Sequence, residues 1–144
     1  MIKKILVPTD GSAPSIKAWK TAVEMGKMLG VPLVAIYVLE PLPYVGLVDV
    51  GVPDLAEYAK AIREEAGKTL EDVSDECKRQ GVTCETYLVE SANVDQGILE
   101  QAAEHDCNLI VMGTHGRRGL NRLLMGSVAR SILAGSKVPV LVVP

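Results

Sequence analysis

The chain has 144 residues, of which 48% are apolar and 3% aromatic, and its net charge is −3. The length suits one hydrophobic core, so we expect a single domain over residues 1–144. The acidic balance and the few aromatic side chains argue against nucleic-acid binding. The chain contains no apolar run long enough to span a membrane, and its start lacks the apolar length of a signal peptide. We therefore expect a cytoplasmic protein that does not bind membranes.

Short apolar runs alternate with amphipathic segments along the chain, which predicts five strands and four helices. The predicted strands are 5–7, 33–39, 83–89, 109–112 and 138–143, and the predicted helices are 13–29, 54–80, 93–105 and 128–134. Four strands are continuously apolar, as in a parallel sheet that is covered on both faces, whereas 83–89 alternates and is expected nearer an edge. This order indicates a doubly wound parallel α/β sheet.

Residues with known capping preferences stand at the ends of the predicted helices. The predicted N-caps are Asp54, Asn93 and Ser127, and the predicted stops are Gly30, Gly81 and Gly135. Gln96 lies three residues after Asn93, which predicts a capping box. Residues 40–53 form the one long predicted loop, and a loop of that size is expected to act as a lid or a contact surface.

Three cysteines, Cys77, Cys84 and Cys107, form no C-x-x-C pair. An odd, scattered set argues against a disulfide framework and fits a reducing compartment.

The segment after the fourth strand is rich in glycine and arginine. Gly113, Gly116 and Gly119 follow that strand, and four of the six arginines lie between residues 117 and 130. Glycine allows positive φ and close approach of the backbone to a ligand. The helix that begins near Gly126 and Ser127 offers unpaired amides and about half a positive charge to a phosphate group.

The glycine pattern is neither a Walker A loop nor the G-x-G-x-x-G fingerprint of dinucleotide-binding folds. From the residues alone, the segment is either a phosphate-binding loop, in which arginines such as Arg117 offset anionic charge, or a long turn with solvated arginines.

Several single residues allow two readings. Asp10 is either a ligand-binding group or a turn residue before Gly11, and a phosphoacceptor role is disfavoured because no aspartate ends the third strand. His115 is interpreted as a phosphate contact rather than a general base. A metal site made from His105, Cys107 and His115 has poor spacing, so we expect no protein-bound metal.

The glycine positions carry a family resemblance. The pattern Gly113-x2-Gly116-x9-Gly126-Ser127 has the form found in ATP-binding universal stress proteins, and the chain resembles that family. Residues 5–12 are similar to its opening strand and acidic turn. Residues 109–113 and 139–143 are similar to its later strands, so the resemblance runs through the whole chain in order.

The resemblance implies a Rossmann-like fold of the adenine nucleotide alpha hydrolase type, with strand order 3-2-1-4-5 and helices on both faces. The first and fourth strands would be neighbours, and their loops would face each other. The resemblance also implies a homodimer formed through the last strand. Residues 138–143 are apolar and carry no charge, which physically favours such pairing.

The resemblance further assigns ligand contacts by position. The adenosine pocket would comprise Pro8, Thr9, Asp10, Val38 and Met112, with Gly113 beside the ribose. The phosphates would lie against His115, Gly116, Gly126, Ser127 and Val128, with Mg²⁺ or Mn²⁺ bridging them. One departure from the family is Glu90-Ser91-Ala92-Asn93, where the family often has Gly-x-Pro.

The leading interpretation is a nucleotide-binding regulatory or stress-response module that binds ATP. A slow ATPase or adenylate-handling enzyme, and a structural dimer with a vestigial site, are the alternatives. ADP, AMP and a cyclic nucleotide are the alternative ligands.

Overall fold

The computed structural model describes residues 1–41, 54–115 and 125–144. Over these residues the strands are β1 Ile5–Pro8, β2 Leu33–Leu39, β3 Cys84–Glu90, β4 Leu109–Gly113 and β5 Val140–Val143. The helices are α1 Ala13–Leu29, α2 Leu55–Gln80, α3 Val94–Glu104 and α4 Ser127–Gly135. The five strands are parallel in the order β3-β2-β1-β4-β5, so the predicted doubly wound sheet is confirmed.

The sheet separates two apolar layers because alternate residues of each central strand point to opposite faces. On one face Ile5, Val7 and Val111 pack with side chains of α1 and α2. On the other face Leu6 and Ile110 pack with side chains of α3 and α4. Coverage on both faces explains why the central strands are continuously apolar.

The strand β3 lies at an edge of the sheet, as its alternating pattern predicts. It carries Glu85, an exposed charged side chain that disfavours further strand pairing. The opposite edge strand, β5, has no charged residue and exposes Leu141 to 38%. The two edges of the sheet therefore differ in chemical character.

The end of α1 and both ends of α2 lie where the sequence predicts them. Gly30 and Gly81 adopt left-handed conformations, with φ of 67° and 74°, and each closes the helix before it. The Asp54 carboxylate accepts a hydrogen bond from the Glu57 amide at 3.1 Å and caps α2. Within the described residues, no helix is both long and apolar enough to cross a membrane.

The predicted capping box at Asn93 is wrong, although Asn93 is the N-cap of α3. Its side chain makes no capping bond to the helix and instead donates to Gln96 Oε1 at 3.4 Å. The Ser91 hydroxyl accepts from the Asn93 amide at 3.4 Å and donates to the Asn93 carbonyl at 2.9 Å. The amide that a capping box would bind is therefore already satisfied by Ser91.

The last helix and strand also differ from prediction. Ser127 is the first helical residue of α4, whereas Gly126 is the N-cap, and Gly135 lies inside the helix. The last strand begins at Val140 rather than Val138. The Ser136 hydroxyl accepts from the Val138 amide at 3.1 Å and donates to its carbonyl at 2.7 Å, which closes a local turn before the strand.

Candidate functional site at the carboxyl ends of β1 and β4

The carboxyl ends of β1 and β4 form the topological switch point of the sheet, because the strand order runs outward from these two strands in opposite directions. The β1–β4 pairs that the structure gives are Ile5↔Leu109 and Leu6↔Ile110, both at the amino ends of the strands. Pairing of β1 with β2 extends further, to Pro8↔Ile36. The carboxyl ends of β1 and β4 are therefore where a ligand could enter between neighbouring strands.

The turn after β1 is built from short polar side chains. Thr9 is 5% exposed, and its hydroxyl lies 3.1 Å from the hydroxyl of Ser15, which is 6% exposed. The Thr9 amide donates to Ile36 O at 2.9 Å and so continues the ladder with β2. Thr9 is thus fixed from both its backbone and its side chain.

The Asp10 carboxylate shapes the same turn. Its Oδ1 accepts from the Ser12 amide at 2.9 Å, and Gly11 between them has φ of 78°, a conformation that favours glycine. The Asp10 carbonyl accepts from the Tyr37 hydroxyl at 3.4 Å. The turn-residue interpretation of Asp10 is therefore confirmed, and it is compatible with a second role in binding.

The N-terminus of α1 lies directly behind this turn. The Ser12 hydroxyl accepts from the Ser15 amide at 3.3 Å, and the Ser15 hydroxyl donates to Ser12 O at 2.9 Å. Sequence reasoning missed Ser15 and Tyr37 as site-building residues. The spacing Ser12-x-x-Ser15 was a capping signal that could have identified Ser15. The contact of Tyr37 with Asp10 spans 27 positions along the chain, so no local pattern indicates it.

Gly113 ends β4 against the first turn of α1. A Cβ atom built at Gly113 would lie 2.8 Å from Pro14 O and 2.9 Å from Pro14 C, so any side chain would collide with backbone. Gly113 is not among the described residues with positive φ. Close helix packing therefore explains this glycine, and the expected conformational freedom does not.

The start of α4 is tied to the end of β4. The Gly126 amide donates to the Thr114 carbonyl at 2.8 Å, so the expectation that this amide is available to an anion is wrong. Gly126 has φ of −63°, and a Cβ there would lie 3.0 Å from Thr114 O. The first hydrogen bond of α4 runs from the Arg130 amide to Gly126 O. The amides of Ser127, Val128 and Ala129 come before that bond and therefore have no acceptor within the helix.

The apolar residues assigned to the adenosine pocket, and Val128 from the predicted phosphate contacts, lie on one face of the sheet. Met112 is buried in the apolar layer under α3 and α4, and Val38 and Val128 are half-buried against that layer. Pro8 lies two positions after Leu6 in β1 and so points to the same face. The structure therefore gathers Pro8, Val38, Met112 and Val128 on one side of the switch point.

His115 follows β4, and its Nδ1 lies 3.0 Å from Thr114 Oγ1. Gly116, Gly119 and Arg117 lie outside the described residues, as do residues 42–53 of the predicted lid, so their assignments stay predictions. Among the described residues, no group of three His, Cys, Asp or Glu side chains is arranged to hold a metal ion.

A surface groove of about 380 Å³ lies elsewhere, between α3 and the end of α4. Leu99, Cys107 and Lys137 are among its lining residues, and none of the nucleotide-site residues that the structure describes lines it. This groove is therefore separate from the switch point.

Comparisons with known proteins place the chain among related sequences and folds. The model of the universal stress protein family matches residues 1–144. A universal stress protein of Methanocaldococcus jannaschii is 38% identical over 143 residues, which cover 99% of this chain and 82% of that protein.

Solved structures give the same result. A universal stress family protein from Burkholderia pseudomallei has a TM-score of 0.79 at 31% identity and covers 99% of this chain and 96% of its own. A universal stress protein in complex with cAMP has a TM-score of 0.74 at 25% identity, with 99% and 97% covered.

Proposed function

Because this chain belongs to the universal stress protein family, we propose that it binds an adenine nucleotide, ATP in the first place, at the carboxyl ends of β1 and β4. Nucleotide occupancy would act as a regulatory signal in a stress response, read by a second copy of the chain or by a partner protein. The solved relative in complex with cAMP supports the adenine nucleotide as ligand class.

One observation carries this proposal: the first turn of α1, which follows the Asp10 turn, and the start of α4 both lie against the end of β4. Pro14, in the first turn of α1, lies against Gly113, and the Gly126 amide bonds to Thr114 O. An acidic side chain and a helix N-terminus therefore flank the same switch point. This pairing suits a molecule with a neutral, hydroxyl-rich end and an anionic end.

The nucleoside end would lie at β1. A carboxylate repels phosphate but accepts hydrogen bonds from ribose hydroxyls or the adenine amino group, which assigns Asp10 to the nucleoside. Pro8, Val38 and Met112 would supply the apolar surface for the base. Val38 and Met112 belong to one apolar layer, and the alternation of β1 puts Pro8 on the same face as Leu6 of that layer. Thr9 and Gly113 would lie at the floor of the pocket.

The phosphate end would lie at α4. The amides of Ser127 and Val128 precede the intrahelical ladder of α4 and are suited to donate to phosphate oxygens. His115, Gly116 and Arg117 would complete the phosphate contacts, and Mg²⁺ or Mn²⁺ would be held through the phosphates. Gly126 would contribute by its close packing on Thr114 rather than by its amide.

The variant that tests the nucleoside assignment is Asp10→Asn. Asparagine keeps an oxygen that accepts from the Ser12 amide, but it replaces the other carboxylate oxygen with a donor. We expect micromolar ATP binding by the wild type, about −8 kcal/mol, and about tenfold weaker binding by the variant. Isothermal titration calorimetry measures both.

The control for lost negative charge is Asp106→Asn, just before β4 at the opposite end of the sheet. Asp106 has φ of 54°, which asparagine tolerates, so the fold should be kept and ATP affinity should stay at the wild-type value. Gly116→Val, in the predicted phosphate loop, should abolish binding. Equal ATP affinities for Asp10→Asn and Asp106→Asn would contradict the assignment of Asp10 to the binding site. An ATP titration of Gly116→Val that matches the wild type would contradict the assignment of the phosphate loop.

We propose further that the chain forms a homodimer through β5. An apolar, uncharged edge strand offers unpaired backbone groups to a second copy, whereas β3 at the other edge carries Glu85 and Glu90. Exposed leucines mark both edges: Leu141 on β5 is 38% exposed and Leu88 on β3 is 37% exposed.

These two leucines form a matched pair for testing the dimer. Leu141→Lys should convert the protein to a monomer in sedimentation equilibrium, because it places a charge on the proposed pairing edge. Leu88→Lys changes a side chain of equal exposure and should leave the dimer intact. A monomeric wild type, or dissociation caused only by Leu88→Lys, would contradict the β5 interface.

A further inference from the structure

The backbone and the side chain of Asp10 are held by groups from three places in the chain. The Asp10 amide donates to the Ser15 hydroxyl at 3.4 Å, and the Asp10 carbonyl accepts from the Tyr37 hydroxyl at 3.4 Å. The Asp10 carboxylate accepts from the Ser12 amide at 2.9 Å. The direction in which the carboxylate points therefore depends on Ser15 and Tyr37 as well as on the turn itself.

The Ser15 hydroxyl connects the hydrogen bonds of this turn. It has one hydrogen, and the Ser12 carbonyl accepts it at 2.9 Å. Thr9 must then be the donor in the 3.1 Å contact between the Thr9 and Ser15 hydroxyls. The Thr9 oxygen in turn accepts from the Gly11 amide at 3.4 Å. Loss of the Ser15 hydroxyl would therefore disturb several bonds of the turn at once.

The backbone amides that follow β1 donate inside the protein. The Thr9 amide bonds to Ile36 O, and the amides of residues 10, 11 and 12 bond to side-chain oxygens of the turn. A phosphate group at this turn would have to displace these bonds. The turn is therefore suited to present the Asp10 carboxylate as an acceptor rather than to bind an anion.

Ser15 and Tyr37 lie on the face of the sheet opposite to the proposed surface for the base. Tyr37 is 7% exposed and packs in the apolar layer under α1 and α2, and Ser15 is a buried residue of α1. Val38 and Met112, which are assigned to the base, belong to the layer under α3 and α4. An effect of Ser15 or Tyr37 on the nucleotide would therefore pass through Asp10.

We propose that Ser15 and Tyr37 are positioning residues of the nucleotide site, which fix the Asp10 carboxylate for a hydrogen-bond donor of the nucleoside. This inference rests on the proposed function, because it takes Asp10 as the group that accepts from the nucleoside. A carboxylate that is already fixed loses little conformational entropy on binding, whereas a mobile one must first be ordered. Loss of either hydroxyl should therefore weaken ATP binding.

The test measures ATP affinity by isothermal titration calorimetry for Ser15→Ala and Tyr37→Phe, each alone and each combined with Asp10→Asn. Each single variant should bind ATP about three- to tenfold more weakly, with the larger loss for Ser15→Ala. In the Asp10→Asn background the same substitutions should change affinity less than about twofold, because the carboxylate that they position is gone. A purely structural role would weaken binding by the same factor in both backgrounds.

Two control variants remove the same kinds of hydroxyl group elsewhere. Ser136→Ala removes a hydroxyl that bonds to the amide and the carbonyl of Val138, and Tyr87→Phe removes one that bonds to Glu85. Both variants should keep ATP affinity within about twofold of the wild type, because neither hydroxyl lies at the switch point.

Amide hydrogen exchange without nucleotide gives a second readout. Exchange of the Ser12 amide reports its bond to the Asp10 carboxylate, and it should be faster in Ser15→Ala and Tyr37→Phe than in the wild type. Tyr37→Phe keeps the aromatic ring in the core, so it tests the proposal even where Ser15→Ala does not fold.

Three results would overturn the positioning role and leave the nucleotide site in place. These are equal losses of ATP affinity in the two backgrounds, wild-type affinity in both single variants, and unchanged exchange of the Ser12 amide. A wild-type protein that does not bind ATP would instead contradict the proposed function, and the positioning role with it.

Discussion

The two sides of the switch point are built by different means. After β1, the chain turns through hydrogen bonds of Thr9, Asp10 and Ser12, and each of these side chains has a defined partner. After β4, the backbone itself makes the contacts, with Gly113 against Pro14. The free energy of unfolding should therefore fall when a polar group is lost on the β1 side and when a methyl group is gained on the β4 side.

The largest effect is expected from Gly113→Ala. The new Cβ would meet the Pro14 backbone at 2.8 Å, and rotation of a side chain cannot relieve a clash with a Cβ. We expect a loss of about 2–3 kcal/mol in the free energy of unfolding, measured by urea denaturation.

The control for this substitution is Gly67→Ala in α2. A Cβ at Gly67 meets nothing within 4 Å, so the helix should gain about 0.5–1 kcal/mol from the better helix former. If both variants changed stability in the same direction, close packing would not be the reason for glycine at position 113.

A smaller loss is expected on the β1 side from Thr9→Val. Valine keeps the shape of threonine but removes the buried hydroxyl that lies 3.1 Å from the Ser15 hydroxyl. We expect a cost of about 1–2 kcal/mol in the same urea experiment. Thr21→Val, which removes an exposed hydroxyl bond to Lys17 O, should cost less than about 0.5 kcal/mol. Equal costs would show that the buried hydroxyl pair contributes nothing special.

The smallest expected effect on stability is the difference between alanine substitutions of two serines at helix starts. The Ser12 hydroxyl caps α1, whereas Ser127 is exposed and lies one residue after Gly126, the N-cap of α4. Ser12→Ala should cost about 1 kcal/mol and Ser127→Ala less than about 0.5 kcal/mol. Thermal unfolding without nucleotide measures the difference, and a larger cost for Ser127→Ala would reverse the comparison.

Much of the fold could be predicted from the sequence because it depends on local patterns. Continuously apolar runs gave the buried strands, and helical spacing with Gly30 and Gly81 gave the first two helices. Strand order came from the family resemblance, since spacing does not specify which strands are neighbours. The N-cap at Asn93 was predicted correctly, but the capping box was wrong because the Ser91 hydroxyl takes the role assigned to Gln96. The N-cap of the last helix is Gly126 rather than Ser127.

The candidate site was predicted less completely. Asp10 was identified by its place after a buried strand, but its support from Tyr37 depends on a contact between different strands. Gly113 was expected to supply conformational freedom, whereas the structure shows close packing against Pro14 and no positive φ. Gly126 was expected to offer a free amide, whereas that amide is bonded to Thr114 O. The sequence shows that glycine occupies these positions, but the clash that a larger residue would cause is visible only from the neighbouring atoms in the structure.

Native mass spectrometry of gently purified protein with added ATP tests the central claim most directly. We expect one bound ATP per chain, with occupancy that rises over the micromolar range and is reduced by Asp10→Asn. A wild-type spectrum that shows no nucleotide adduct, at ATP concentrations far above this range, would contradict the account.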